Sequence, residues 1–239
     1  MKSLAILFAV LVSGAAMASG SSHPLDTAPV DLGNTVSLQR GAAAFQSYCS
    51  GCHSLAYMRY SRLTDIGLTE DQIKKTLLPA GAKIGDTMGI PMRPEDAKAW
   101  FGVRPPDLSV EARSRGADWI YTYLRTFYRD ESRPTGWNNL VYERSAMPHV
   151  LYQLQGELAL EHAGGHDGHD APKLVKVSDG QLGAAEYDAL TGDITNFLAW
   201  VSEPAQDTRV RMGFFVIGFL LVLLVLVYNL KKEFWKEVH

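Results

Sequence analysis

The first of two long apolar runs lies at the N-terminus. A short basic start, Met1-Lys2-Ser3, precedes the apolar residues Leu4–Ala16, and Ala16-Met17-Ala18 follows as an A-x-A element. This order is typical of a secretory signal peptide that is cleaved after the second small residue. A spanning helix is the alternative, but the run is short and ends in small residues. We therefore predict that residues 1–18 are a signal peptide and that the mature chain is exported.

The second apolar run lies near the C-terminus. Residues Met212–Leu230 contain no charge, and at about 1.5 Å per residue they span about 28 Å, close to the hydrocarbon thickness of a membrane. Lysines follow the run at once, at Lys231, Lys232 and Lys236. A buried core helix is the alternative, but such uniform apolarity is rare outside membranes. The pattern predicts a transmembrane anchor over 208–230 and, from the positive-inside tendency, a cytoplasmic tail over 231–239.

Between the two runs, residues 19–207 are long enough for one domain with its own core. Ser37 can cap a helix that runs to Cys49, and Gly41 on this helix would let another helix approach closely. Apolar residues recur at helical spacing on one face of it, at Leu38, Ala42 and Phe45. A last helix of the domain is expected over 186–201, ended before Pro204.

The rest of the domain alternates short elements with long loops. Helices are predicted from Thr69 through Leu77 and from an Asp118 cap to Phe127, and a small hairpin from Leu151–Leu160 with Leu174–Val177. Residues 79–94, 130–149 and 162–172 are expected to be loops because they are rich in Gly, Pro or polar residues. The fold class is mainly α, with long loops and one C-terminal transmembrane helix.

The charge balance limits the partners. The formal net charge is −3, from 23 Lys and Arg and 26 Asp and Glu, so we expect no nucleic acid partner. Carboxylates are concentrated between Gly156 and Asp207, and an acidic face can steer a basic partner. A solvated face is the alternative that the sequence alone favours. Within this stretch, the histidines of the Gly/His/Asp loop could hold a metal, but a solvated loop is the simpler interpretation.

The only two cysteines lie together in Cys49-Ser50-Gly51-Cys52-His53. A C-x-x-C-H run is the attachment motif of a c-type haem. Two thiols at this spacing on a helical turn can each form a thioether with one vinyl group, and the histidine then ligates the iron. A thioredoxin-type motif would expect a βαβ context, and a zinc site would need four ligands. We therefore predict one covalent haem c, held by Cys49, Cys52 and His53.

Spacing alone leaves more than one candidate for the iron's sixth ligand. A methionine thioether is the common partner of histidine in electron-transfer cytochromes c. Three methionines remain after those in the signal peptide, at the membrane edge and close to His53 are set aside: Met88, Met92 and Met147. Each could instead be a packing methionine. Met147-Pro148 follows a long loop and suits a ligand segment best.

The chain resembles cytochrome c1, the haem subunit of the quinol:cytochrome c oxidoreductase, or cytochrome bc1 complex. The resemblance covers nearly the whole mature chain. It is carried by Leu38–Gly41, Cys49–Ser54, Arg104–Ser109, Ala112-Arg113, Ala146–Pro148, Phe197–Trp200 with Glu203-Pro204, and Arg209–Gly213 before the anchor. C-x-x-C-H is common to all cytochromes c, whereas the Pro-Pro-Asp-Leu-Ser element and the single C-terminal anchor are more specific.

The resemblance implies roles for particular residues. Met147 falls where the family has its axial methionine, and Arg113 where it has an arginine that pairs with a haem propionate, as a planar guanidinium can. Pro105 and Pro106 fall in the wall of the haem pocket. One departure is Trp100-Phe101, which stands where family members have asparagines.

The resemblance also implies a function. The chain would relay electrons from a Rieske iron–sulfur protein to a cytochrome c acceptor, beside a cytochrome b partner, without catalysing a reaction on its own. Its haem domain would lie on the periplasmic side of a bacterial inner membrane. Two alternatives remain: an independent membrane-anchored monohaem cytochrome c that supplies an oxidase, and a haem enzyme such as a peroxidase with an open sixth position.

Overall fold

The computed structural model describes residues 23–161 and 173–237. The expected signal peptide and the loop over 162–172 lie outside the described residues. The helices are α1 (Thr35–Tyr48), α2 (Glu70–Thr76), α3 (Pro94–Phe101), α4 (Glu111–Arg115), α5 (Ala117–Arg125), α6 (Tyr152–Gln155), α7 (Ala184–Ser202) and α8 (Gln206–Phe234). The strands are β1 (Leu55–Arg59), β2 (Thr87–Met88), β3 (Phe127–Arg129), β4 (Trp137–Asn139), β5 (Gly156–Glu161) and β6 (Lys173–Asp179), and a 3-10 helix spans Tyr60–Ile66.

Helices α1 and α7 cross closely and form the centre of the core. A Cβ atom on Gly41 would lie 2.1 Å from the carbonyl oxygen of Asp193 and 2.7 Å from the Cβ of Phe197. The expectation that Gly41 admits a neighbouring helix is therefore confirmed. Phe45 and Phe197 meet next to it, with ring centroids 5.9 Å apart, and both are fully buried. This packing fixes the helix whose end carries the two cysteines.

The N-terminal cap of α1 differs from the prediction. The Asn34 side chain, not Ser37, caps the helix by accepting a hydrogen bond from the Ser37 N–H at 3.1 Å. Ser37 instead lies inside the helix and donates to the Asp193 carboxylate on α7 at 2.7 Å. Both types of residue are good caps, and the tertiary contact with α7 decides between them.

Helix α5 begins and ends differently from the prediction. Gly116 precedes it, and the Asp118 carboxylate accepts a hydrogen bond from the Ala28 N–H at 2.8 Å rather than capping the helix. Phe127 is not its last residue but the first of β3. Helix α3 was not predicted, although Pro94 stands at a first-turn position that proline favours. The helices predicted near Thr69 and over 186–201 are confirmed as α2 and α7.

The predicted hairpin is part of a larger sheet. Strands β5 and β6 pair antiparallel, as expected, but residues 152–155 form α6 instead of extending β5. Strand β3 pairs antiparallel with β4 and parallel with β5, which gives a four-stranded sheet in the order β4-β3-β5-β6. Strands β1 and β2 form a separate pair. Strands β3 and β4 have only three residues each, too few for a visible alternation.

Helix α8 contains the second apolar run. It has 29 residues, a mean hydropathy of 2.8 in its most apolar window, and none of that window is buried against the protein. Within the described part of the chain it is the one helix long and apolar enough to cross a membrane. Its length and composition are those of a single-pass anchor.

Candidate haem site

The C-x-x-C-H residues form a helical turn that continues α1. The Cys49 N–H donates to the Phe45 carbonyl at 2.8 Å, and the Cys52 and His53 N–H groups both donate to the Cys49 carbonyl, at 3.0 and 2.9 Å. These bonds give the two cysteines the close spacing that attachment to adjacent vinyl groups requires. Because α1 is packed against α7, the turn is held on a fixed support.

The two thiols are free, and their surroundings favour the protonated form. Both cysteines are free, Cys49 is buried and Cys52 is partly buried. Burial, with a smaller contribution from the neighbouring Cys52, raises the pKa of the Cys49 thiol to about 12, and burial also raises the pKa of Cys52. A structural zinc site needs four ligands, and no group of three or more His, Cys, Asp or Glu gathers for a metal within residues 23–161 and 173–237. The donor set fits thioether attachment of haem better than zinc.

His53 has one ring nitrogen engaged by the protein. Its Nδ1 lies 2.8 Å from the carbonyl oxygen of Pro106, which can only accept a hydrogen bond. The proton of the neutral ring is therefore on Nδ1, and Nε2 keeps its lone pair for a metal. Burial lowers the pKa of His53, while the Pro106 hydrogen bond and the charges of Glu111 and Asp107 oppose this effect. A neutral, oriented imidazole is the form that ligates iron.

Asp107 fastens the proline segment to the chain after His53. Its carboxylate accepts hydrogen bonds from the Ser54 hydroxyl at 2.5 Å, the Ala56 N–H at 2.7 Å and the Ser109 N–H at 2.9 Å. The Leu108 N–H also donates to the Ser54 carbonyl at 2.9 Å. Burial alone would raise the pKa of Asp107, but the hydrogen bonds together lower it. Asp107 thus holds the Pro106 carbonyl against His53.

Met147 lies on a segment whose fold depends on two buried asparagines of β4. The Asn138 amide oxygen accepts from the Arg144 N–H at 2.8 Å, and the Asn139 amide oxygen accepts from the Val141 and Tyr142 N–H groups at 2.9 and 3.2 Å. Met147 itself is partly buried. Of the other candidates, Met88 is buried in the core opposite Leu55 on β1, as a packing methionine would be, and Met92 is partly buried in the loop after β2.

Arg113 lies on α4 with a largely exposed side chain. One of its guanidinium nitrogens is 3.8 Å from the carboxylate of Glu203, which lies between α7 and α8. Glu203 also pairs with Arg209 in the first turns of α8. Pro106 and His53 are thus in direct contact. The segment that carries Met147 is bonded instead to β4, and Arg113 pairs with Glu203.

The acidic stretch is more strongly paired than its sequence indicates. Among its described carboxylates, six form ion pairs with basic residues, and five of the six partners are arginines that precede the stretch or lie in the first turns of α8. The pairs are Glu157–Arg129, Asp179–Lys176, Asp188–Arg125, Asp193–Arg40, Glu203–Arg209 and Asp207–Arg211. The pairing reduces the charge available to steer a partner.

Sequence reasoning assigned no role to Asp107, Ser145 or His149. Asp107 had a local signal, since an Asp two residues before a Ser can bond that residue's N–H in an Asx turn. Ser145 and His149 had none, because their partners lie on α5, β3 and β4.

The chain matches one protein family and is similar to several known proteins over most of its length. Residues 28–238 match the family described as the Cytochrome C1 family. The chain is 48% identical to a cytochrome c1 of Allochromatium vinosum, over 97% of each chain. It is 47% identical to a protein of Nitrosomonas europaea named ammonia monooxygenase gamma subunit, over 99% of this chain and 97% of that one. A cytochrome c1 of Rhodospirillum rubrum is 30% identical over 84% of this chain and 81% of its own.

Solved structures include a more distant likeness. A chain of a structure titled "Hyperthermophilic respiratory Complex III" aligns over 100% of this chain and 95% of its own, at 17% identity and a TM-score of 0.48.

Proposed function

Because the chain belongs to the cytochrome c1 family, we propose that it is the haem-bearing electron-transfer subunit of a quinol:cytochrome c oxidoreductase. Cytochromes c1 carry covalent haem c, and this chain has the matching C-x-x-C-H motif at Cys49–His53. The observation that carries the proposal is the His53 ring, whose Nδ1 is engaged by Pro106, so that Nε2 is free for iron.

Each site residue has one task in this proposal. Cys49 and Cys52 would form the thioethers, His53 Nε2 and the Met147 sulfur would ligate the iron, and Arg113 would pair with a propionate. Pro105 and Pro106 wall the pocket. The bound haem supplies an iron that gains and loses one electron. Support for Arg113 includes its accessible guanidinium, whose 3.8 Å pair with Glu203 leaves N–H groups that can donate to a second carboxylate.

The protein's own contribution is to hold the ligands still. The α1–α7 packing carries the cysteine turn, and Asp107 holds the Pro106 carbonyl that orients His53. With His53 and Met147 both ligating it, the iron would have no position open to a substrate. This favours an electron relay over a peroxidase.

The proposed setting follows from α8 and the expected export signal. Helix α8 anchors the chain, and the haem domain lies on the periplasmic side of a bacterial inner membrane. There the chain takes electrons from a Rieske iron–sulfur protein beside cytochrome b and passes them to a cytochrome c. The domain limits that we propose are 1–18, 19–207, 208–230 and 231–239.

A monooxygenase complex is a second assembly to test, because one similar relative is named as a monooxygenase subunit rather than as a cytochrome c1. The Nitrosomonas protein is called a monooxygenase subunit and is nearly as similar as the Allochromatium cytochrome c1. The haem chemistry would be the same in either assembly, and only the neighbouring subunits would differ.

Co-purification from detergent-solubilised membranes tests the proposal. A tagged chain should bring down haem b and the electron paramagnetic resonance signal of a Rieske cluster, and the preparation should transfer electrons from quinol to cytochrome c. A preparation with haem c but neither partner would instead favour the independent monohaem cytochrome. Monooxygenase subunits in place of haem b and the Rieske cluster would favour the second assembly.

A further inference from the structure

Two buried polar residues flank the Met147 segment. Ser145 and His149 are each only 2% exposed, whereas Ala146, Met147 and Pro148 between them are partly exposed. The preceding residues, Tyr142 to Arg144, are exposed. Polar residues in a surface loop are ordinarily solvated. Burial of one on each side of a candidate ligand therefore needs a physical reason.

Ser145 is bound to helix α5. The Tyr123 hydroxyl lies 2.8 Å from the Ser145 hydroxyl oxygen, and Ser145 in turn donates weakly to the Met147 carbonyl at 3.4 Å. The Tyr123 ring is itself fixed by a stack on Trp119, with centroids 4.9 Å apart and planes at 11°. One end of the ligand segment is thus bonded to a rigid helix.

His149 is bound to the sheet by its ring. It stacks flat on Phe127 of β3, with centroids 4.9 Å apart and planes at 4°, and it meets Trp137 of β4 edge-on at 5.0 Å. Stacked and edge-on aromatic pairs at such distances are favourable beyond the area that they bury. The second end of the segment is therefore held by two strands.

The two attachments belong to one aromatic cluster. Phe127, which carries the His149 ring, also meets Tyr123 edge-on at 4.9 Å, and Tyr123 carries Ser145. The cluster of Trp119, Tyr123, Phe127 and Trp137 therefore fixes both ends of a three-residue span. A short span fixed at both ends has few conformations left to lose, so its central side chain meets a ligand site at low entropic cost.

We propose that Ser145 and His149 are positioning residues that hold Met147 as an axial ligand of the iron. The inference rests on the proposed function, because it requires Met147 to be that ligand. A thioether is neutral and is easily displaced by a stronger donor. The clamp at both ends keeps the sulfur in place and excludes such competitors.

The test compares imidazole binding to the ferric holoprotein, purified as the full chain in detergent. Ser145→Ala and His149→Ala should each raise the apparent imidazole affinity about tenfold, equivalent to about 1.4 kcal/mol, and weaken the sulfur-to-iron charge-transfer band. His149→Phe should stay close to the wild-type imidazole affinity because it keeps an aromatic ring on Phe127. Tyr152→Ala is the matched control: Tyr152 also contacts Trp137, at 5.9 Å, but lies beyond the segment, so its affinity should stay at the wild-type value.

Tyr123→Phe gives an independent check that needs no change in the segment. It removes the hydroxyl that Ser145 contacts and keeps the ring, so it should match Ser145→Ala, and the double variant should add little. If Met147→Leu loses the charge-transfer band while all the Ser145, His149 and Tyr123 variants bind imidazole as the wild type does, the inference is wrong and the proposed function stands. If Met147→Leu keeps the band, the ligand assignment fails and the inference with it.

Discussion

Asp107→Asn is a sharp test of how the proline segment is held. The carboxylate accepts three hydrogen bonds, from Ser54, Ala56 and Ser109. Asparagine removes the charge, and its NH₂ group faces at least one of these donors instead of accepting from it. Hydrogen bonds to a charged group contribute about 1.5–3 kcal/mol each, but Asp107 is only partly buried, so water can replace part of the loss.

We therefore expect Asp107→Asn to lower the free energy of unfolding by about 2–3 kcal/mol. Guanidinium unfolding of the detergent-purified full chain, followed by tryptophan fluorescence at pH 7, measures this change. Asp96→Asn is the matched control, because Asp96 forms a surface pair with Arg93 at 2.8 Å and such pairs contribute about 1 kcal/mol or less. An Asp107→Asn cost no larger than that of the control would refute the reasoning.

The same variant gives a pH dependence with a defined sign. The folded-state pKa of Asp107 is lowered, so its stabilising effect is present above the unfolded pKa of about 3.9 and is lost as the pH falls through the folded value. The difference in stability between the wild type and Asp107→Asn should thus shrink below about pH 4. A difference that stays constant between neutral and acidic pH would show that the charge of Asp107 contributes little.

Three further predictions concern the helix crossing, the anchor and the acidic stretch. Gly41→Ala should lower the free energy of unfolding by about 3 kcal/mol or more because its Cβ would clash with Asp193, whereas Gly85→Ala, which meets nothing within 4 Å, should stay near the wild type in the same unfolding assay. Truncation after Asp207 should give a soluble periplasmic haem domain with a c-type spectrum; recovery in the membrane fraction without partners would count against α8 as the only anchor of the mature chain. Because so many acidic side chains are paired, turnover with a basic cytochrome c acceptor should slow only modestly as salt shortens the screening length from about 10 Å at 0.1 M to about 3 Å at 1 M, and a steep decline would point to an acidic docking face.

The features that could be predicted from the sequence are those with a local signal. The cysteine turn, the helix predicted from Thr69, the last helix of the domain and the apolar run of α8 each show their pattern within a few turns of chain. The role of Gly41 could be predicted because a glycine inside a helix lowers its stability. Its presence there therefore indicates a close neighbour that leaves no room for a side chain.

The features that escaped prediction depend on residues far apart in the chain. Ser37 lies inside the helix, where its hydroxyl donates to Asp193. His149 contacts rings on two strands that are too short to show an alternation of polar and apolar residues. The acidic stretch likewise looked unpaired because partners such as Arg40 and Arg125 come from other helices. In each case tertiary contacts override the local pattern.

The most direct test of the central claim is the intact mass of the mature chain purified from membranes, together with alkylation of its thiols. The account predicts the mass of the polypeptide plus one haem, unchanged by acid–acetone washing, with Cys49 and Cys52 both blocked to the alkylating reagent. A chain that loses its haem in the wash and has both thiols alkylated would contradict the account.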